Sequence, residues 1–324
     1  MNKRIKPTIF LTMAVVLGAL LIFGASTVVF GGDYPSKPIR MIYPFPAGSG
    51  GDIATRIFAD AAGKELGQPV KVTNVTGGRA TIGAAKVVNA KKDGYEIGSL
   101  PIGPAVTQPI FSVKLPYKTE DLVPICQFTY LPIVVVAGAH TPYRSIKELI
   151  AHAKKNPGKV VFAHSGLGTV PYLMMKALES ATGIKMKGIP FKGLRPGVTA
   201  VVGGHVDVAP AVLAGVIGFQ KAKKLRILGL FAGKRMELAP DVPTVEEDGI
   251  KTYPQLWTGI FAPKGTDAAV LKKLEESFAK AAQSPEFVKA MLKAKQPVFY
   301  LDRRAFQAKI KADIEYFKEY KAKK

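Results

Sequence analysis

Two glycine-rich turns constrain this chain more than any other feature. The first lies in Pro44–Arg56, reading Pro-Phe-Pro-Ala-Gly-Ser-Gly-Gly-Asp-Ile-Ala-Thr-Arg, and the second in Ala163–Leu173. The first follows an apolar run, Pro38–Tyr43, that reads as a strand. It precedes apolar residues at Ile53, Ile57, Phe58, Ala61 and Ala62, the spacing of an amphipathic helix. Such a turn aims backbone N–H groups at a bound oxyanion, where the helix dipole also favours negative charge. Two of them predict a protein that grips an anion from two sides.

The rest of the chain has the same grain. Val70–Val75 and Tyr95–Leu100 read as strands, with a helix at Ala80–Ala90 between them. Leu131–Ala139 is a continuous β-branched run, as expected of a strand buried on both faces. Ser145 and Glu148 form a capping-box pattern for a helix ending near Asn156. Strands then alternate with helices: Lys159–Ala163, Val170–Thr182, Lys187–Phe191, Pro196–Val202, Val206–Pro210, Val212–Ala222 and Leu225–Phe231. Trp257–Ala262 reads as one more strand, and the tail after Asp267 as mostly helical. This alternation argues for α/β architecture with largely parallel sheets.

Several chemistries are excluded. Gly48-Ser49-Gly50-Gly51-Asp52-Ile53 and Gly166-Leu167-Gly168-Thr169-Val170-Pro171 both fail the dinucleotide fingerprint at the sixth position. No Gly-Lys-Ser/Thr follows a glycine-rich loop, and no Gly-x-Ser-x-Gly elbow occurs. The histidines, His140, His152, His164 and His205, have no short-range ligand spacing, so neither a metal nor a cofactor is expected. With Cys126 alone, no internal disulfide can form, and this residue reads as a small core side chain. A net charge of +22 raises nucleic acid as a partner. Lysines scattered along helices, without interleaved aromatics, argue against it. The field suits steering of a small anion. Ser165 beside His164 leaves a secreted α/β hydrolase or transferase as the rival enzymatic reading. Asp52 reads equally as a helix cap or as a ligand contact.

The N-terminus carries an address. Lys3, Arg4 and Lys6 precede a stretch, Pro7–Gly32, without charge, and the apolar core Ile9–Phe23 is followed by Gly24, Ala25 and Ser26. This is a secretory signal pattern over residues 1–32, with an uncleaved membrane anchor as the alternative. Either places the body outside the cytoplasm.

The body resembles the solute-binding proteins of tripartite tricarboxylate transporters, the TctC or Bug family. The resemblance rests on the Pro44–Asp52 turn, Asn74-Val75-Thr76-Gly77 with Ile82-Gly83, Asp93-Gly94-Tyr95, and Asp121-Leu122-Val123-Pro124-Ile125. It continues through Ser165-Gly166-Leu167-Gly168-Thr169, Pro190-Phe191-Lys192-Gly193, Gly203-Gly204-His205-Val206-Asp207 and Trp257-Thr258-Gly259 with Ala262-Pro263-Lys264-Gly265-Thr266. It implies a two-lobed periplasmic binding protein of the Venus flytrap, type II-like form. The ligand cleft would lie between the lobes, and the protein would be monomeric and without catalysis. Lobe 1 would comprise 33–135 and 257–324, and lobe 2 136–256, joined by crossing strands near Val134–Ala139 and Leu256–Ala262. A small carboxylate would be captured and delivered to membrane permease subunits. A sensor of the same fold serving a signalling partner is the alternative. Carried over by position, Phe45, Ala47, Gly48, Ser49, Gly50 and Asp52 form one cradle, and Ser165, Gly166, Gly168 and Thr169 the other. Lys192 lies beside them and Asp207 near the cleft floor. The chain departs from the family pattern at Ser49, Tyr172, Arg79, Arg195 and His164. Arg79, Arg195 or His164 is expected to supply a counter-charge for a second carboxylate.

Overall fold

Pro132 divides the structure. The strand expected over Leu131–Ala139 is broken there, because proline has no N–H to donate to a ladder. Strand β4 (Leu122–Leu131) ends before it and β5 (Ile133–Gly138) begins after it, in a different sheet. The computed structural model describes residues 34–112, 114–250 and 255–322. The leader over residues 1–32 lies outside the described residues. Everything below concerns the compact unit formed by residues 37–324.

The first sheet has six strands in the order β11-β4-β10-β3-β1-β2, with β1 (Ile39–Tyr43), β2 (Val70–Asn74), β3 (Glu96–Pro101), β10 (Leu256–Pro263) and β11 (Val298–Leu301). β1 lies parallel between β2 and β3, while β10 runs antiparallel between β3 and β4. The second sheet has five strands in the order β7-β6-β8-β5-β9, with β6 (Val161–His164), β7 (Lys187–Pro190), β8 (Val208–Val212) and β9 (Leu225–Leu230). β5 is buried along its whole length, as its β-branched run demands, because β8 and β9 flank it and helices cover the sheet. The expected crossing strands therefore each belong to one sheet. The first exchange falls at Pro132, ahead of the expected boundary after Val135, and the second between β9 and β10.

The helices are α1 (Gly50–Leu66), α2 (Thr81–Val88), α3 (Gln108–Phe111), α4 (Ile146–Lys155), α5 (Val170–Thr182), α6 (Leu194–Val202), α7 (Leu213–Lys221), α8 (Ala268–Gln283), α9 (Pro285–Lys293) and α10 (Arg303–Ala322). α1 is capped by Ser49 and ended by Gly67 in the left-handed conformation. Its buried face runs through Ala54, Thr55, Phe58, Ala61 and Ala62, while Ile53, expected on that face, is exposed. Phe58 stacks on Phe128 of β4 at 4.4 Å and meets Phe278 and Phe287 edge-on at 5.4 and 5.6 Å. These rings fasten α1 to α8 and α9. At α4, the Ser145 hydroxyl accepts from Glu148 N–H, and the Glu148 carboxylate accepts from Arg144 N–H, one residue earlier than a standard capping box.

Two strands escape the sequence pattern. β4 carries Pro124, Gln127 and Thr129, which disrupt its apolar alternation, yet Gln127 and Thr129 are wholly buried. β11 is a short edge strand between helices. Cys126 is buried within β4, and that burial pushes its thiol pKa up.

The turn after β1 depends on one close approach. A β-carbon on Gly51 would lie 2.0 Å from the Tyr43 hydroxyl. Gly51→Ala is therefore expected to destabilise the protein by about 1–3 kcal/mol in urea unfolding. Adding Tyr43→Phe should recover most of that loss, and no recovery would show that the clash lies elsewhere.

Candidate functional site

The first cradle is the turn between β1 and α1. Gly48 takes a positive φ of +75°, and Ser49 is extended, its hydroxyl accepting from Asp52 N–H at 3.3 Å. Tyr43 also hydrogen-bonds Ser49, and burial raises the Tyr43 pKa, which keeps the phenol protonated. Asp52 is only 2% exposed. Its Oδ2 accepts from Gly48 N–H at 2.9 Å and from Arg56 Nε at 3.0 Å, and its Oδ1 accepts from Asn74 Nδ2 at 2.7 Å. Asn74 also donates to the Phe45 carbonyl at 2.9 Å and accepts from Arg56 Nη2 at 2.8 Å. Burial pushes the Asp52 carboxyl pKa up, but hydrogen bonds from Arg56, Asn74 and Gly48 together with the Arg56 charge outweigh it, so the net shift is down. Both oxygens of Asp52 are engaged in holding the turn. The first intrahelical bond runs from Ile53 N–H to Ser49 carbonyl, which leaves the N–H groups of Gly50 and Gly51 without an intrahelical acceptor. Phe45 and Ala47 lie exposed on the crest of the turn.

The second cradle follows β6. Gly166 and Gly168 have φ of +115° and +74°, conformations that suit glycine. Thr169 precedes α5, and its hydroxyl donates to the Gly166 carbonyl at 2.8 Å while Ser165 Oγ lies 3.0 Å from it. His164 is 6% exposed, and its Nδ1 accepts from Gly166 N–H at 3.1 Å. Burial lowers its pKa, so the ring is neutral, and it packs 4.8 Å from Tyr172. In this structure His164 is therefore engaged within its own loop. It braces its loop, as Asp52 braces the first. It also removes the hydrolase reading's key contact. Ser165 is bonded to Thr169, and the His164 Nδ1 lone pair is occupied by the Gly166 N–H, so His164 does not face that hydroxyl as a base. Pro171 in the first turn of α5 has no N–H, so this helix start offers fewer donors than α1, and the hydroxyls of Ser165 and Thr169 stand beside it.

A third turn, between β7 and α6, adjoins the second. Phe191 N–H bonds the His164 carbonyl at 2.8 Å, and Gly193 has φ of +115°. Lys192 and Arg195 in this turn are exposed.

Arg79 departs from expectation. It follows β2, with left-handed φ values of +56° at Arg79 and +75° at Ala80. Its Nη1 donates to the Leu167 carbonyl at 3.1 Å, reaching from the first-sheet lobe to the second cradle. From the same side, Gln108 Nε2 lies 3.5 Å from the Gly168 carbonyl. A β-carbon on Gly168 would come within 3.3 Å of Phe111. These contacts join the lobes across the cleft.

Asp207 stands elsewhere. Its Oδ2 accepts from Val161 N–H at 2.7 Å and its Oδ1 lies 3.4 Å from His140 Nε2. That is the opposite end of β6 from Ser165, about 13 Å away at strand spacing. Asp207 caps the start of β6.

Arg56 and Asn74 were not singled out as site residues. The i, i+4 spacing of Asp52 and Arg56 was the available signal; the reach to Asn74 had none.

Two outcomes follow from this geometry. A neutral His164 with a lowered pKa contributes stability that is complete above the ordinary histidine pKa of about 6.5 and is lost as pH falls towards the folded value. His164→Asn, whose Oδ1 can accept the same N–H without titrating, should show a shallower loss of urea stability between about pH 7 and pH 5. Equal slopes for the two proteins would remove His164 from this role. Arg79→Ala should favour a more open protein, read by small-angle scattering as a larger radius of gyration without ligand. An unchanged radius would show that the Leu167 contact contributes nothing to closure.

The sequence model described as "Tripartite tricarboxylate transporter family receptor", TctC, matches residues 54–319. Protein BugT of Bordetella pertussis is 33% identical over 276 residues, covering 82% of this chain and 83% of BugT. The periplasmic binding protein BugD is 31% identical with a TM-score of 0.77, covering 90% of this chain and 98% of BugD. A TctC solute-binding protein from Polaromonas is 30% identical with a TM-score of 0.76, covering 90% of this chain and 100% of that one. At 23% identity, MatC of Rhodopseudomonas palustris, solved with malate, and another R. palustris protein, solved with adipate, share the fold at TM-scores of 0.75 and 0.78, covering 88% and 89% of this chain and 99% and 97% of theirs. The chain belongs to the TctC family of solute-binding proteins and has its two-lobed periplasmic-binding-protein fold.

Proposed function

We propose that this protein captures a small carboxylate between its two cradles in the periplasm. It then presents the closed form to the membrane permease of a tripartite tricarboxylate-type transporter. The observation that carries this reading is the first cradle. Asp52 holds the turn open so that the Gly50 and Gly51 N–H groups, with the α1 dipole behind them, remain for an oxyanion.

The second cradle closes on the other side of the ligand. Gly166 and Gly168 shape its loop, and Ser165 and Thr169 supply hydroxyls. Ser165 now bonds Thr169, and a rotation about its Cα–Cβ bond turns that donor to a ligand oxygen. Lys192 and Arg195 are the cations for a second carboxylate, since both are exposed in the turn that adjoins His164. Diacids bound by two proteins of this fold, malate and adipate, favour that class of ligand. The chain's net charge of +22 steers such anions inward. The lobes in this reading are 37–131 with 256–322, and 133–250, hinged at Pro132. Nothing in the cycle requires catalysis, a metal or a second copy.

A thermal-shift screen of carboxylates tests this. A ligand at 100 times its Kd stabilises the folded state by about 2.7 kcal/mol, a rise of several degrees for a protein of this size. Flat melting curves across mono-, di- and tricarboxylates would overturn the reading.

A further inference from the structure

A groove lies behind the arm that reaches the second cradle. Helix α3 is that arm. Its Gln108 Nε2 lies 3.5 Å from the Gly168 carbonyl, and a β-carbon on Gly168 would lie 3.3 Å from Phe111. On its other side α3 is held by the C-terminal helix. Phe111 meets Phe317 and Tyr320 of α10 edge-on at 6.1 and 6.4 Å, and Lys321 Nζ donates to the Ile110 carbonyl at 2.5 Å. Between α3, α10 and the turn at Tyr117–Glu120 runs an open groove of about 520 Å³.

Its chemistry has two parts. Pro109, Ile110, Tyr117 and Ile314 give it apolar walls, while Lys118, Lys318 and Lys321 stand exposed at its edges. Among the described residues, Glu120 is the one acidic side chain that lines it. The wall at Tyr117–Thr119 is fixed. Tyr117 Oη donates to the Pro104 carbonyl at 2.8 Å, and Thr119 Oγ1 donates to the Ala105 carbonyl at 2.8 Å. A groove held in shape loses little freedom on binding. Three cations against one anion attract an acidic partner, and the apolar walls require apolar side chains beside its acidic groups. A small free anion would leave those walls uncovered.

We propose that this groove docks an acidic segment of the membrane permease that also carries apolar side chains, and that docking loosens the bound ligand. The inference rests on the carboxylate-capture reading and adds the surface that the partner uses. A carboxylate in the groove competes with the Ile110 carbonyl for Lys321, and an ammonium favours the charged acceptor. The segment then sits between α10 and α3. α3 shifts relative to α10, and Gln108 and Phe111 lose their hold on Gly168. The groove lies outside both cradles, so the permease segment and the ligand do not compete for the same residues.

The probe is a short amphipathic peptide of glutamate and leucine, titrated by fluorescence anisotropy into the full extracytoplasmic chain. At about 0.15 M salt, where distant charges are screened, binding should be saturable. Lys318→Glu with Lys321→Glu should weaken it about tenfold or more. Lys273→Glu with Lys280→Glu, on α8 and outside the groove, should change it by less than about threefold. A peptide of glutamate and serine should bind about tenfold more weakly. With a carboxylate from the thermal-shift screen bound, adding the glutamate–leucine peptide should quicken its release about threefold or more in stopped flow. Lys321→Ala should quicken release without peptide. Equal binding of the two peptides would reduce the groove to charge attraction and overturn the inference. Equal losses in the two charge-reversed pairs would overturn it too, as would release that ignores the bound peptide. Binding of phosphatidylglycerol vesicles through Lys318 and Lys321, with none of the peptide, would assign the groove to a lipid surface instead. The peptide titration needs no ligand, so a flat carboxylate screen overturns capture while the peptide still judges the groove.

Discussion

The buried carboxylate of Asp52 is the constraint on which the first half of the site depends. A glycine-rich turn is flexible by composition, and a flexible turn makes a poor anion cradle because its ordering opposes binding. Asp52 removes that freedom by accepting from Gly48 N–H on one side of the turn and from Asn74, at the end of the neighbouring strand, on the other. Its negative charge would by itself repel an anion at the start of α1. Arg56 offsets it at 3.0 Å, so the field at the helix start keeps the sign of the dipole. The guanidinium is half exposed, so its effect is local compensation rather than a large stabilising term.

The second cradle solves the same problem with a neutral group. His164 accepts from Gly166 N–H as Asp52 accepts from Gly48 N–H, but without a charge that needs a partner. The price of that neutrality is a titratable brace. A protonated ring has no lone pair for the N–H, so the loop is held only while the imidazole stays deprotonated. The two cradles therefore differ in kind, with backbone donors dominating at α1 and hydroxyls standing beside the proline-containing start of α5.

The two halves meet through contacts that neither makes alone. Arg79 and Gln108 reach from the first-sheet side towards the Leu167 and Gly168 carbonyls, and Phe111 packs on Gly168. The chain changes sheet at Pro132. Proline ends one strand without continuing its ladder, and the next residue already belongs to the other sheet. β10 returns the chain to the first sheet, where Trp257 is fully buried and its indole N–H donates to Asp313 of α10 at 2.7 Å. This anchors the C-terminal helix to the sheet that carries the first cradle.

Sequence alone determined whatever is written in residues close together. The capped helix from Gly50 to Leu66, the helix from Val170 to Thr182 ended by Gly183, and the buried β-branched run of β5 all rest on propensities and spacings within one or two turns. The family was legible for the same reason, as an ordered set of short motifs. β4 was not legible, because its buried Gln127 and Thr129 take their surroundings from strands and helices elsewhere in the chain. The roles of single side chains were decided only by the tertiary structure. Asp52 became a brace through Asn74, 22 residues away, and Arg79 a cross-cleft contact through Leu167, 88 residues away. Asp207 lies at the far end of β6 because a parallel strand sets its own first residues beside the start, not the end, of its neighbour. Hydrogen bonds of a few ångströms are set by which strands lie side by side, and that order is a property of the packed sheets rather than of any local pattern.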